Sequence, residues 1–497
     1  MKQKILLLLF SGFLCVATLH AQKEANNWLF GNRAGLTWNT TQSLTATGLF
    51  GTPNKILDKL PDVLNGSSMN TYEGCFSLSD RNGNLLFYSN GMTIWKANHQ
   101  PMNNGSGLFG HDSSAQSGIV IPNPANPRQY YAISLGDWLS NNLAYSIVDM
   151  DLDSGSGDIV AGEKNKLFSG ASGITGESVT AIKHANGIDY WVVAPGRGNP
   201  AYLNAWLATA SGVASTPVTT ISPVAETTGY NTGYIKFDST GEYFAWPTGY
   251  GNKIIFGKFD VGTGQFSNLK YIPFALAYGC EFSPSSEYLY IGGCDGNRNL
   301  RVYKFMDLIA SDSPATVPYK EYTFPAQQTA FQLSPDGRIY IGINNARYLY
   351  IIDNPEEYDN LRIYQLPNNF LGDIGISRYG LPSFSASWWS APIKGNTIFC
   401  IKTSQAFSMN ITKGSGGFEL DHTEWDFGDG TILVDNSFVN NEQRHSHTYT
   451  EPGNYTITVR AILKYDGSEL MSARQTLNVK ASRCVMPVNH NISVMGY

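Results

Sequence analysis

The stretch "GCFSLSDRNGNLLFYSNGMTIWK", residues Gly74–Lys96, reads as an apolar strand, a polar turn holding Asp80 and Gly83, a second apolar strand and the start of a third. The shape returns as "GIVIPNPANPRQYYAIS", "SVTAIKHANGIDYWVVA", "GYIKFDSTGEYFAWP", "GCEFSPSSEYLYIGG" and "AFQLSPDGRIYIGIN". The copies begin near Gly74, Gly118, Ser178, Gly233, Gly279 and Ala330. The spacing therefore runs from the mid-forties to about sixty residues, a period that suits the four-stranded blades of a β-propeller. Most copies continue into further strands, as in "LAYSIVDMDL", "KIIFGKFDV", "LRVYKFMDL" and "YLYIIDN".

Two orphan segments remain. "GLPSFSASWW", Gly380–Trp389, reads as an inner strand with nothing after it, and "NWLFGNRAGLTWN", Asn27–Asn39, reads as strands lacking an inner one. Joined, they predict a seventh blade that closes the ring over residues 26–390, leaving no free sheet edge at the junction. The competing architecture is an array of sandwiches.

Composition agrees with an all-β chain. Of 497 residues, 42% are apolar, 13% aromatic and 15% charged, with 50 glycines, a balance that favours short strands and tight turns over helices or disorder. The N-terminus has Lys2 and Lys4, an apolar run Ile5–Leu19 and then Ala21, so residues 1–21 read as a secretory signal. Leu14 before Cys15 argues against a lipoprotein signal, which wants a small residue there. No later apolar stretch has the length of a membrane span. Losing two lysines with the leader moves the formal charge from −6 to −8, which disfavours nucleic acid as a partner. Five cysteines would remain; Cys280 with Cys294, about a hairpin, and Cys400 with Cys484, about the C-terminal module, are the candidate disulfides.

From Asn396 the repeat gives way to one module, residues 396–482, and a short tail, 483–497. Tyr455, Ile457 and Val459 alternate with Thr456, Thr458 and Arg460 on a strand, and the length fits an Ig-like sandwich. "WDFGDGT", residues 425–431, sets Asp426 and Asp429 among glycines, with His445 and His447 further on. It could be a metal or acid–base cluster, but turn chemistry explains each residue. Trp425 and Phe427 alternate inward, Asp426 faces out, the Asp429 carboxylate within Gly428-Asp429-Gly430 caps backbone N–H groups while glycine takes positive φ, and His447 and Tyr449 alternate on another strand.

"WDFGDGT", "HTY" and "PGNYTITV" also resemble the PKD domain, an Ig-like module of bacterial surface and secreted proteins. The region before it, through "NNWLFGNRAGLTWN", "TYEGCFSLSDRNGNLLFYSNGMTIWKANHQPM", "SAQSGIVIPNPANPRQYY" and "YGCEFSP", resembles the propeller of gliding-motility and type IX secretion-associated proteins of Bacteroidota. That resemblance implies an exported envelope protein. Many such proteins continue into a sorting domain, whereas this sequence ends at "RCVMPVNHNISVMGY", which shifts the expectation toward the periplasm or an envelope complex.

Searching for chemistry yields little. No G-x-S-x-G, H-E-x-x-H or S-x-x-K motif stands in a supporting context, and "SLSDRNGNLLF" is a loose echo of a sialidase turn. "DMDLDSGSGD", Asp149–Asp158, fails as an EF-hand loop because Ser154 stands where glycine is needed and Val160 where glutamate is needed. His99 and His111 read as turn residues that could otherwise face a ligand on the propeller top. "PGRGNP", residues 195–200, has no helix after it and so no phosphate cradle. The expectation is a non-enzymatic envelope protein without metal or cofactor, its propeller a scaffold for envelope or surface proteins. A glycan-binding or glycan-degrading exoprotein is the alternative.

Overall fold

A computed structural model describes residues 23–484 apart from 141, 187, 228–231, 389–392, 394, 397, 411–418, 438–441 and 466–467. The expected leader, residues 1–21, and the tail beyond residue 484 lie outside the described residues. Residues 27–365 form a β-propeller. Blade one is Phe76–Ser79, Leu85–Ser89, Thr93–Lys96 and Pro101–Ser106, ordered from the centre outward. Blade two begins at Gly118–Asn123, blade three at Thr180–Lys183, blade four at Lys236–Phe237, blade five at Ala277–Phe282 and blade six at Gln328–Leu333. Each of these inner strands is a repeat copy from the sequence. They are short and buried along nearly their whole length, because in a closed ring the innermost strand has a blade neighbour on each side and no solvent face.

The ring is tied at each junction. Gly74 N donates to Ser114 O (2.8 Å), Gln116 N to Glu177 O (3.0 Å) and Tyr234 N to Tyr278 O (2.9 Å). Ser178 Oγ donates to Gly233 O (2.6 Å), and Leu333 N to Glu281 Oε2 (2.9 Å).

Closure differs from the expectation for Gly380–Trp389. Blade seven is built from the N-terminus alone, as Asn27–Phe30, Ala34–Gly48 and Lys55–Val63. Asn27–Phe30 itself takes the inner place beside blade one, where Ser77 Oγ donates to Asn27 O at 2.6 Å. The far end of Ala34–Gly48 then pairs with the outer strand of blade six, Thr47 opposite Gln365 and Gly48 opposite Tyr364. A buried ion network locks this seam. Arg338 binds Asp353 (2.8 Å) and Asp336 (3.2 Å) and donates to Asp58 O (3.1 Å), while Asp336 accepts from Trp38 Nε1 (3.0 Å) and Tyr340 (3.0 Å).

Residues 380–388 instead run along the centre of the ring. Leu381 N donates to the Tyr234 hydroxyl (3.3 Å), Ser383 N to Cys75 O (2.8 Å), Ser385 Oγ to Ala181 O (3.0 Å), and Ser387 Oγ accepts from Lys183 N (2.8 Å). Alternate residues thus reach blades four, one and three. The period-2 pattern that reads as a strand is real, but it serves inward-facing backbone groups of several blades, which must find partners once shielded from water. Gly380 makes the entry possible, since a Cβ there would collide with the Glu73 carbonyl oxygen.

The C-terminal module is an Ig-like sandwich. One sheet holds Ile398–Cys400, Ser468–Ser482, Gly453–Tyr465, Glu419–Asp426 and Ile432–Asp435; the other pairs Gln405–Asn410 with Glu442–His447. Phe407, Trp425, Phe427, Tyr449, Ile457 and Val459 form its core. Cys400 and Cys484 are bonded, with Cα atoms 5.4 Å apart. The other candidate pair, Cys280 with Cys294, is not formed: both thiols are free and buried. Cys280 lies opposite Ile291 in the blade-five hairpin and Cys294 falls beyond the strand end, so register keeps them apart.

Candidate binding site at the channel mouth

The PKD cluster resolves into turn and core contacts. Asp426 Oδ1 accepts from Gly428 N (2.8 Å) and Asp429 Oδ1 from Thr431 N (3.1 Å), while Gly428 and Gly430 have φ of 77° and 92°. His447 stacks on Phe427 with ring centroids 4.2 Å apart and pairs with Asp429 at 2.7 Å, and the Tyr449 hydroxyl donates to Phe427 O (2.9 Å). No thiol or hydroxyl nucleophile joins the histidine among these contacts. Among the described residues no group of three or more His, Cys, Asp or Glu is arranged to hold a metal ion.

His99 lies in the hairpin between the third and fourth strands of blade one, where φ is 66° and its ring meets the Tyr88 hydroxyl (3.2 Å). Asp149–Asp158 closes an outer hairpin: Asp153 pairs with Lys96 (2.8 Å) and Asp158 accepts from Asn104. His111 caps its own turn, with Ser113 N donating to Nδ1 (3.1 Å). It nevertheless stands on the face where the inner strands begin.

On that face a set of acids and tyrosines gathers at the mouth of the channel. Glu73 precedes the inner strand of blade one, Glu177 that of blade three, and Asp295 follows the second strand of blade five. Asp295 accepts from the hydroxyls of Tyr250 (2.5 Å) and Tyr379 (3.1 Å). Tyr379 packs against Tyr72 (5.2 Å between centroids) and edge-on against Tyr278 (6.0 Å). Tyr72 is 44% exposed, whereas Tyr278 is only 2% exposed. The aromatic wall therefore runs from solvent into the interior.

Burial pushes the Glu73 carboxyl well above the ordinary carboxylate range; the charge of Glu177 adds to this, and the Tyr278 hydroxyl opposes it. That hydroxyl lies close enough to stabilise the ionised acid, and neither it nor Glu73 Oε2 has a hydrogen-bond partner beyond the other. Glu177 is better served, accepting from Ala115 N and Trp138 N at 3.1 Å each, and burial lifts it to about 7 against those bonds. The thiol of Cys294 next to Asp295 is raised by burial and so is a poor nucleophile. The mouth thus offers carboxylates and ring faces, a combination that attracts cations.

Sequence reasoning missed these residues because it began each copy at the small residue. The signal lies just before it, in Tyr72-Glu73-Gly74-Cys75, Tyr278-Gly279-Cys280 and Tyr379-Gly380. A tyrosine ahead of glycine at three entries to the ring interior could have flagged the mouth.

The arrangement can be set beside known proteins. Residues 390–480 match the PKD domain family. Solved structures similar to parts of the chain include the PKD domain of an M14-like peptidase from Thermoplasmatales archaeon SCGC AB-540-F20, 23% identical, covering 18% of this chain and 91% of that one, with TM-score 0.15. A Bacteroides uniformis protein assigned as a 6-phosphogluconolactonase is 10% identical over 73% of this chain and 98% of its own, TM-score 0.39. Kluyveromyces lactis Hsv2 is 9% identical over 66% of this chain and 92% of its own, TM-score 0.34. At such values the strand order above, and not these likenesses, carries the description of the propeller. The disulfide and the PKD domain are features of extracytoplasmic proteins, and among the described residues no helix is long and apolar enough to cross a membrane. This chain is a β-propeller followed by a PKD domain.

Proposed function

We propose that the protein is a non-enzymatic, exported envelope component whose propeller serves as a docking platform for other envelope or surface proteins. In line with the resemblance of its propeller, we assign it as an accessory of type IX secretion or gliding machinery of Bacteroidota. One observation carries the reading: the centre of the ring, where a propeller can enclose a small substrate, is occupied by residues 380–388 of the chain itself. The loops at the mouth, where Tyr72 is exposed, form a surface suited to a large partner.

The glycan reading is less well supported. A groove of about 480 Å³ lined by Phe274, Arg301, Tyr303 and Tyr319 brings aromatic rings together. There the Arg301 guanidinium lies 4.4 Å from the Tyr319 ring centre and 5.0 Å from that of Phe274, covering faces that a sugar would stack on.

The test is gentle crosslinking in the native organism, fractionation into periplasm, outer membrane and medium, and recovery of the protein with its neighbours. A defined set of envelope partners is expected. Recovery of the protein alone from every fraction would overturn the docking reading.

A further inference from the structure

We infer that the channel mouth is a receptor for a primary ammonium group, a lysine side chain presented by a partner protein, held by Glu73 and Asp295 between the rings of Tyr72, Tyr278 and Tyr379. The inference rests on the docking reading and specifies its contact.

Two independent observations meet here. The first is the aromatic wall, with Tyr379 against both Tyr72 and Tyr278 and tied by its hydroxyl to Asp295. Tyrosine faces stabilise a cation by their quadrupole, and a nearby carboxylate adds a charge of opposite sign. The second is loosely met bonding: Tyr278, buried to 2% exposure, has its hydroxyl near Glu73, and neither that hydroxyl nor the shielded Glu73 Oε2 has a hydrogen-bond partner beyond the other. Shielded polar groups so loosely met favour a ligand that satisfies them.

The ligand class follows by elimination. An anion would face Glu73, Asp112, Glu177 and Asp295, the acids that surround the site. A bare metal ion needs several converging ligands, and no such group occurs among the described residues. A quaternary ammonium would enjoy the rings but leave both acceptors empty. A primary ammonium carries three N–H donors on a slim apolar stem and satisfies rings, carboxylates and hydroxyl together. Binding it would also draw the Glu73 carboxyl into its ionised form, so a proton leaves as the ammonium enters.

Isothermal titration of the full mature chain with three probes tests this: Ac-Gly-Lys-Gly-amide, its norleucine counterpart, and Gly-Gly-Gly-amide with a free N-terminus. The lysine peptide is expected to bind at least roughly tenfold more tightly than the norleucine one. It should also bind more tightly than the free-amine peptide, whose ammonium has no stem to reach past Tyr72. Proton release should appear as a dependence of the heat on buffer ionisation enthalpy. Glu73→Gln, close in shape, and Tyr72→Ala, at an exposed position, are each expected to weaken the lysine peptide about tenfold while the melting temperature stays put. Equal binding of lysine and norleucine peptides, no binding up to about 10 mM, or unchanged affinity in a folded Glu73→Gln would overturn the site. A free-amine peptide that binds best would reassign the ligand to a protein N-terminus and overturn the lysine assignment. Equal capture of an envelope partner by wild type and Glu73→Gln would overturn the ammonium site and leave the docking platform standing.

Discussion

Replacing Arg338 by methionine should reveal how the ring is held shut. Arg338 is 1% exposed and is the cation between Asp336 and Asp353, which are 2% and 0% exposed. It also reaches across the seam to the carbonyl of Asp58, and Asp336 binds Trp38 from the same N-terminal strands. Methionine fills much of the volume but leaves two shielded carboxylates without their counter-charge, a loss of roughly 3–5 kcal/mol. For a unit of roughly 360 residues the unfolding entropy is near 0.8 kcal/mol per degree, so about 4 kcal/mol lowers the melting temperature by about 5 °C. Calorimetry of the mature chain at pH 7.5 measures this. The orphaned acids would have folded-state pKa values raised above their unfolded ones. The variant's deficit should therefore shrink as pH falls and grow as pH rises through those raised values. Adding Asp336→Asn and Asp353→Asn should recover much of the loss. A single variant within about 1 kcal/mol of wild type at pH 7.5, or a deficit that is flat from pH 5 to 8, would refute the claim that this network closes the ring.

Three further outcomes follow from the same structure. Glu356 is held between blades by Ser285, and burial raises its carboxyl to about 8. Its contribution to stability is full below about pH 4.5 and is lost as pH rises through 8, on the order of 5 kcal/mol, so Glu356→Gln should flatten the stability–pH curve in that window when followed by chemical denaturation. Removing the Cys400–Cys484 bond, which spans 84 residues, as the double alanine variant should destabilise the PKD module by about 4–5 kcal/mol in the loop-entropy model, read from denaturant melts of the module's tryptophan signal. Iodoacetamide on the native chain should label none of Cys75, Cys280 and Cys294, all buried thiols raised by burial, while the denatured chain labels all three by mass spectrometry.

Local pattern carried far into the architecture wherever a residue's role depends on its sequence neighbours. The turn residues Asp80, Asp238 and Asp336 cap hairpins a few residues long, so each copy is readable in isolation. The PKD motif was legible for the same reason: Asp426 and Asp429 bind N–H groups two residues on. Register was not. Cys280 and Cys294 bracket a hairpin in sequence, yet a bulge and the strand end decide which atoms face one another. The mouth was equally hidden, because Glu73, Tyr278 and Tyr379 are far apart in the chain and meet only once the ring has closed.

By itself the order of amino acids determined that this chain is all-β, that a hairpin unit recurs around a ring and that an Ig-like module follows it, because alternation and turn chemistry act over a few residues. Only tertiary structure decided that Asn27–Phe30 and not Gly380–Ser387 completes the seventh blade. Both segments have strand periodicity, and the choice between them depends on which buried backbone groups remain to be satisfied when the blades come together.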